Sequence, residues 1–172
     1  MLKTGSQYVM ERDEAGTCEV DGTPLVLNGI GIRRVFFVEV YRAFLYTVSP
    51  VRSRREIALD TSPCRLEFQF AYGPININTM RRAWRDAFTN SVGQDAMEAE
   101  RPAFALFFDT VREYRKGDVV RYDIANGEVA VHTNGQFLGT LCSKALCEAV
   151  IDVVAGERPI DEDLKKGLLN LR

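Results

Sequence analysis

Three short alternating runs, Val119 to Ile124, Glu128 to Thr133 and Gln136 to Leu141, are joined by Asn126-Gly127 and Asn134-Gly135. An Asn-Gly linker between such runs selects a tight hairpin, because both residues accept the left-handed backbone the turn requires. This part of the chain is therefore an antiparallel meander. Asp21-Gly22 predicts another hairpin, between a strand ending near Val20 and one at Pro24 to Leu27. Asn28-Gly29 predicts a further turn, leading into one long run from Ile32 to Thr47. That run alternates imperfectly. Phe36, Val38, Val40, Phe44 and Tyr46 share one parity, and Val35, Phe37, Tyr41 and Leu45 the other, the pattern of a strand buried on both faces or bulged midway.

The clearest strand is Cys64 to Tyr72, where Cys64, Leu66, Phe68, Phe70 and Tyr72 alternate with Arg65, Glu67, Gln69 and Ala71 before Gly73-Pro74 ends the run. Ser53 to Leu59 is expected as a short helix. Met80, Ala83, Trp84, Ala87 and Phe88 then recur at helical spacing behind an N-cap at Asn78 or Thr79. A second helix is expected from Pro102 to Tyr114, carrying Phe104, Leu106, Phe107 and Val111. Near the C-terminus Ala145, Ala149, Val150, Val153 and Val154 mark a helix stopped by Gly156. Pro159 and Asp161 open a last one carrying Leu164, Leu168 and Leu169. Strands, two helices, a meander and two helices make an α+β plan rather than alternating βαβ units. With 46% hydrophobic residues, the 172-residue chain fits one domain, 1–172, with residues 1–16 as a less ordered N-terminal extension.

Composition narrows the function. A formal charge of -2, from 22 basic and 24 acidic residues, sets up no global field for nucleic acid. Cys18, Cys64, Cys142 and Cys147 lack CxxC or other metal-ligand spacing, and His132 is the single histidine, so no metal or other cofactor is expected. Packed free thiols are the simpler reading. No apolar run reaches the ~20 residues of a membrane span. The first residues lack the plan of a secretory signal, so the chain is expected to be cytoplasmic or an exported, periplasmic protein already trimmed.

Several motifs fail on context. Gly29-Ile30-Gly31 contains GxG, but the third glycine is missing and a strand follows, whereas a dinucleotide fingerprint needs a helix N-terminus there. There is no GxxxxGK[ST] and no GxSxG. A nucleophile scheme would have to use His132, which reads as an ordinary strand histidine. Trp84 reads as core rather than cleft wall, and Arg52, Arg54, Arg55, Arg81, Arg82 and Arg85 as solvated surface. Arg33 is different. It heads a half-buried run, so its charge needs either a sheet carboxylate such as Glu39 or Glu67, or a bound anion.

Three segments together resemble the chalcone isomerase-like superfamily in its bacterial type: PLVLNGIGIRRVFFVEVYRAFLYT, then RKGDVVRYD, then VHTNGQFLGTLCSKALCEAVIDVVAGERPIDEDLKKGLLNL. The resemblance implies an open-faced β-sandwich, a long curved antiparallel sheet with a layer of helices on one face and a ligand cleft between. Plant chalcone isomerases use an arginine of the glycine-rich strand to position a phenolate, and a threonine, a tyrosine, a lysine and an asparagine complete the cleft. Fatty-acid-binding relatives keep the arginine and pair it with a tyrosine around a carboxylate. Arg33 matches the shared arginine, while Arg34 falls where the isomerases carry a small residue. Tyr41 stands at the isomerase threonine position, and Val153 replaces the specificity threonine. Arg82 and Asp86 are the nearest candidates for the remaining polar set.

What this implies is a non-catalytic protein binding a small apolar anion, a fatty acid or phenolic acid, on Arg33 and Tyr41. The alternative is an isomerase or intramolecular lyase for a phenolic or enone substrate, with Arg33 favouring the anionic nucleophile and Tyr41 donating to the developing enolate. A third reading is an accessory protein acting through its surface on a protein partner the sequence does not name.

Overall fold

In the computed structural model, which describes residues 16–171, seven strands form one antiparallel sheet in sequence order. The expected N-terminal extension lies, apart from Gly16, outside the described residues. The strands are β1 (Thr17–Val20), β2 (Thr23–Val35), β3 (Val38–Thr47), β4 (Cys64–Phe70), β5 (Val119–Ala125), β6 (Glu128–Thr133) and β7 (Gln136–Cys142). Asp21-Gly22, Asn126-Gly127 and Asn134-Gly135 close hairpins as their sequences require, each with both residues at positive φ.

The run from Ile32 to Thr47 is not one strand. It is the far end of β2, a two-residue turn at Phe36-Phe37, and β3, with Val35 paired to Val38. Nor does Asn28-Gly29 turn the chain. Both residues lie inside β2, at a bulge between Leu27 and Gly29. The side chain of Asn28 is committed elsewhere: its Nδ2 donates to the Val51 carbonyl at 3.0 Å and the Leu168 carbonyl at 2.7 Å, and its Oδ1 accepts from the Val51 N–H at 2.8 Å. Gly29 serves close approach, since a Cβ there would lie 2.3 Å from the Gly167 carbonyl oxygen.

Between β4 and β5 run three helices, not two: α1 (Ile77–Ser91), α2 (Gln94–Ala99) and α3 (Arg101–Thr110). The cap of α1 is Asn76, whose side chain accepts from the Asn78 N–H, rather than Asn78 or Thr79. The second expected helix stops at Thr110, because Tyr114 leaves the helical path to form a bridge with Ile75. Ser53 to Leu59 yields only a single 3-10 turn, Arg54–Glu56. After β7 come α4 (Lys144–Ala155), capped by Ser143, and α5 (Glu162–Leu168), capped by Asp161.

Alternation places Ala43, Leu45, Leu66, Phe68, Tyr122 and Val131 on the face that α1, α3 and α4 cover. Burying each large apolar side chain there contributes about 1.5–3 kcal/mol. α4 is buried nearly all round, from Leu146 to Ala155. On the other face β1 curls back towards β5, and Val20, Leu25, Phe44 and Tyr46 form a smaller cluster. The result is the α+β, open-faced arrangement expected from the sequence, a curled antiparallel sheet with its helices on one side.

Candidate functional site

A cavity of about 450 Å³ opens between the sheet and α1, within the range of roughly 300–1,000 Å³ typical of small-molecule pockets. Aromatic rings form much of its wall. Phe68 meets Tyr41 edge-on at 5.0 Å between centroids and Trp84 at 6.0 Å, while Phe70 stacks on Tyr114 at 4.6 Å. Ala83 and Ala87 from α1 and Val153 from α4 complete the apolar lining. Trp84 is therefore both core and wall, a correction to the expectation of core alone. Its buried edge packs on Phe88 and Phe107 while its ring bounds the cavity.

Arg33 and Tyr41 are brought together on this lining as cross-strand partners of β2 and β3. The register slips between Arg33 and Arg34, so Val40 and Tyr41 both reach the cavity wall. Such a bulge re-aims side chains at the edge of a site. The carboxylate that answers Arg33 is neither Glu39 nor Glu67. Arg33 Nη1 donates to Asp161 Oδ2 at 2.9 Å and to the Arg34 carbonyl at 3.3 Å. Glu39 instead pairs with Arg42 at 2.5 Å.

Asp161 has two functions at one place. Its Oδ1 accepts from the Leu164 N–H at 2.9 Å and so caps α5, and its Oδ2 holds Arg33. Arg33 Nε and Nη2 have no hydrogen-bond partner among the described residues, so the guanidinium keeps donors for a second anion. Burial pushes the Tyr41 phenol up; Arg33 opposes the shift and Asp161 adds to it. At neutral pH Tyr41 is thus a hydroxyl that can donate, beside a permanent cation.

Other candidates fall outside the cavity. Arg82 and Asp86 are exposed on α1 and do not line it. His132 lies across the strand from Arg121 on the opposite sheet face, with burial lowering its pKa. Among the described residues no cluster of His, Cys, Asp and Glu could hold a metal. Sequence reasoning missed Tyr72, Thr79, Tyr114 and Tyr122 as lining residues, of which Tyr114 accepts at its hydroxyl from the Arg112 N–H. Strand parity could have found Tyr122, which shares its face with Val120 and Ile124, and Tyr72, which shares its parity with Phe68 and Phe70; nothing local marks Thr79 or Tyr114.

The chalcone isomerase-like family model matches residues 9–170. A curated relative, fatty-acid-binding protein 1 of Arabidopsis thaliana, is 25% identical over 109 residues, which cover 61% of this chain and 39% of the relative. The match thus leaves most of that relative's length uncovered. The crystal structure of a fatty-acid binding protein from the same plant is similar with a TM-score of 0.63 at 20% identity, over 85% of this chain and 87% of the other. At that identity the likeness concerns the fold.

Proposed function

The chain belongs to the chalcone isomerase-like family, and from that premise we propose that it binds a small apolar carboxylate, a fatty acid or phenolic acid, without chalcone isomerase turnover. The observation that carries this reading is the union of an apolar, largely aromatic cavity with one guanidinium whose Nε and Nη2 have no partner among the described residues. The carboxylate sits on Arg33, the Tyr41 hydroxyl adds a donor, and the tail lies along Phe68, Trp84 and Val153. Charge-assisted hydrogen bonds of this kind are roughly twice as strong as neutral ones, and Arg offers them in parallel. The name of the curated relative agrees with a fatty-acid ligand.

What supports the absence of turnover is the lining itself. Of the positions matched to the isomerase polar set, Val153 donates no hydrogen bond and Arg82 and Asp86 lie outside the cavity. Titration with oleate and with a phenolic acid tests the reading. We expect Arg33→Met to lose about ten- to a hundredfold in affinity, the equivalent of one or two charged hydrogen bonds. Failure of the native protein to bind any apolar acid, with the fold intact by circular dichroism, refutes it. Chalcone turnover abolished in Arg33→Met would replace it with the isomerase reading.

A further inference from the structure

Three hairpins of this sheet turn on Asp21-Gly22, Asn126-Gly127 and Asn134-Gly135, while the β2–β3 hairpin turns on Phe36-Phe37. Phe36 sits at φ 56°, a left-handed conformation that a bulky L-residue rarely adopts. Both rings are almost wholly exposed. Phe36 is 91% exposed and Phe37 99%, and Val35 and Val38 beside them are 43% and 46% exposed. The chain thus abandons, at this hairpin only, the turn residues it uses at the other three, and holds four consecutive apolar side chains in water at a protruding tip. Residues that suit neither a turn nor a core are fitted to something outside the molecule.

We propose that this tip inserts into the interfacial layer of a lipid bilayer, with the mouth of the cavity towards the membrane. Size favours lipid over protein: a specific protein interface buries roughly 800 Å² on each partner, more than a two-residue turn and its flanks present. A bilayer accepts a small wedge. Phenyl rings at a protruding turn reach the boundary of headgroups and acyl chains, where removing apolar surface from water drives binding. Charge agrees. Arg34, next to the tip, is exposed, and Glu39 across the strand from it is engaged by Arg42, which leaves a cation for an anionic headgroup.

Val35, Phe36 and Val38 belong both to the tip and to the cavity lining. A seated tip therefore brings the cavity mouth to the acyl region, and an apolar acid passes between bilayer and cavity without crossing water. That transfer rests on the binding reading above; docking of the tip does not.

The test is co-sedimentation of the full chain with phosphatidylcholine vesicles, with and without added phosphatidylglycerol. Phe37 does not line the cavity, so Phe37→Asp leaves oleate affinity unchanged. We expect wild type to sediment with the phosphatidylglycerol vesicles, Phe37→Asp to lose at least about tenfold in partition, and Phe37→Trp to retain it with a blue-shifted emission on vesicles. Wild type remaining in the supernatant with both compositions overturns the proposal, as does Phe37→Asp sedimenting like wild type. A wild-type dimer abolished by Phe37→Asp, without vesicle binding, overturns it in favour of a second copy of the chain. Vesicle binding by a protein that binds no oleate removes the ligand reading and leaves docking standing; the reverse result removes docking alone.

Discussion

Substituting Asp161 separates its two functions. Asn still caps a helix, because its side-chain oxygen accepts from the same N–H, so Asp161→Asn keeps the start of α5 while removing both the charge and the oxygen that accepts from Arg33. The Arg33–Asp161 pair is partly buried, with side-chain exposures of 26% and 17%. A ligand carboxylate on Arg33 would lie about 4–6 Å from the Asp161 carboxylate, close enough for each to oppose the other's charge. Two like charges at ~4 Å repel by about 4 kcal/mol at an effective dielectric of 20. Solvent at the open side cuts this to about 1–2 kcal/mol. Asp161→Asn is therefore predicted to tighten oleate binding about tenfold. Asp161→Ala should tighten it similarly while losing about 1 kcal/mol of stability with the cap, or roughly 2–4 °C in Tm. Calorimetric titration with oleate and a thermal melt of both variants are the assay. If Asp161→Asn binds oleate with the affinity of wild type, the anion does not sit on Arg33. If it binds worse, the carboxylate is positioning the guanidinium rather than competing with the ligand.

Two further predictions concern stability and thiol chemistry. A Cβ on Gly31 would lie 2.4 Å from the Leu164 carbonyl oxygen and 2.8 Å from its Cδ1, so Gly31→Ala should cost about 1–3 kcal/mol and lower Tm by roughly 2–12 °C; an unchanged melt would mean that α5 shifts freely. Burial pushes the Cys64 and Cys147 thiols up to about 12, whereas Cys142 is exposed and is raised by its hydrogen bond to Glu128. An aromatic disulfide reagent should label Cys142 first, at a rate still climbing above its ordinary pKa of 9.0, and reach Cys64 and Cys147 only on denaturation. A fast phase that survives Cys142→Ser would refute this order.

The legible parts of the sequence were those decided locally. Asn126-Gly127 and Asn134-Gly135 carry their own turn geometry, and the alternation from Cys64 to Phe70 picks out the apolar face that joins the main core, although Arg65 and Glu67 on the other face are buried as well. The β2–β3 turn carried no such mark. Phe36-Phe37 continues an apolar run, and only the folded sheet reveals that the chain reverses there. Asn28-Gly29 misled for the opposite reason, since a turn signal was redirected to tertiary contacts with Val51 and Leu168. Arg33 and Tyr41 could be picked from one strand segment, but the partner of Arg33 lies 128 residues away in a helix cap. No periodicity connects two such positions.

Much of the roof of the cavity is one excursion of the chain, completed by Val153 of α4. β4 and β5 are adjacent rungs of the sheet, yet α1, α2 and α3 all lie between them in the chain. The excursion is clasped where it leaves and returns: Gly117 N–H bonds to the Phe70 carbonyl at 2.8 Å, Phe70 N–H to the Asp118 carbonyl at 2.9 Å, and Ile75 bridges Tyr114. A change of length within that segment leaves the β4–β5 ladder continuous as long as Trp84, Phe88, Phe104 and Phe107 keep their places in the core. Ligand range in this architecture is thus adjustable by changes within one cassette, and the sheet that carries Arg33 and Tyr41 remains a fixed chassis.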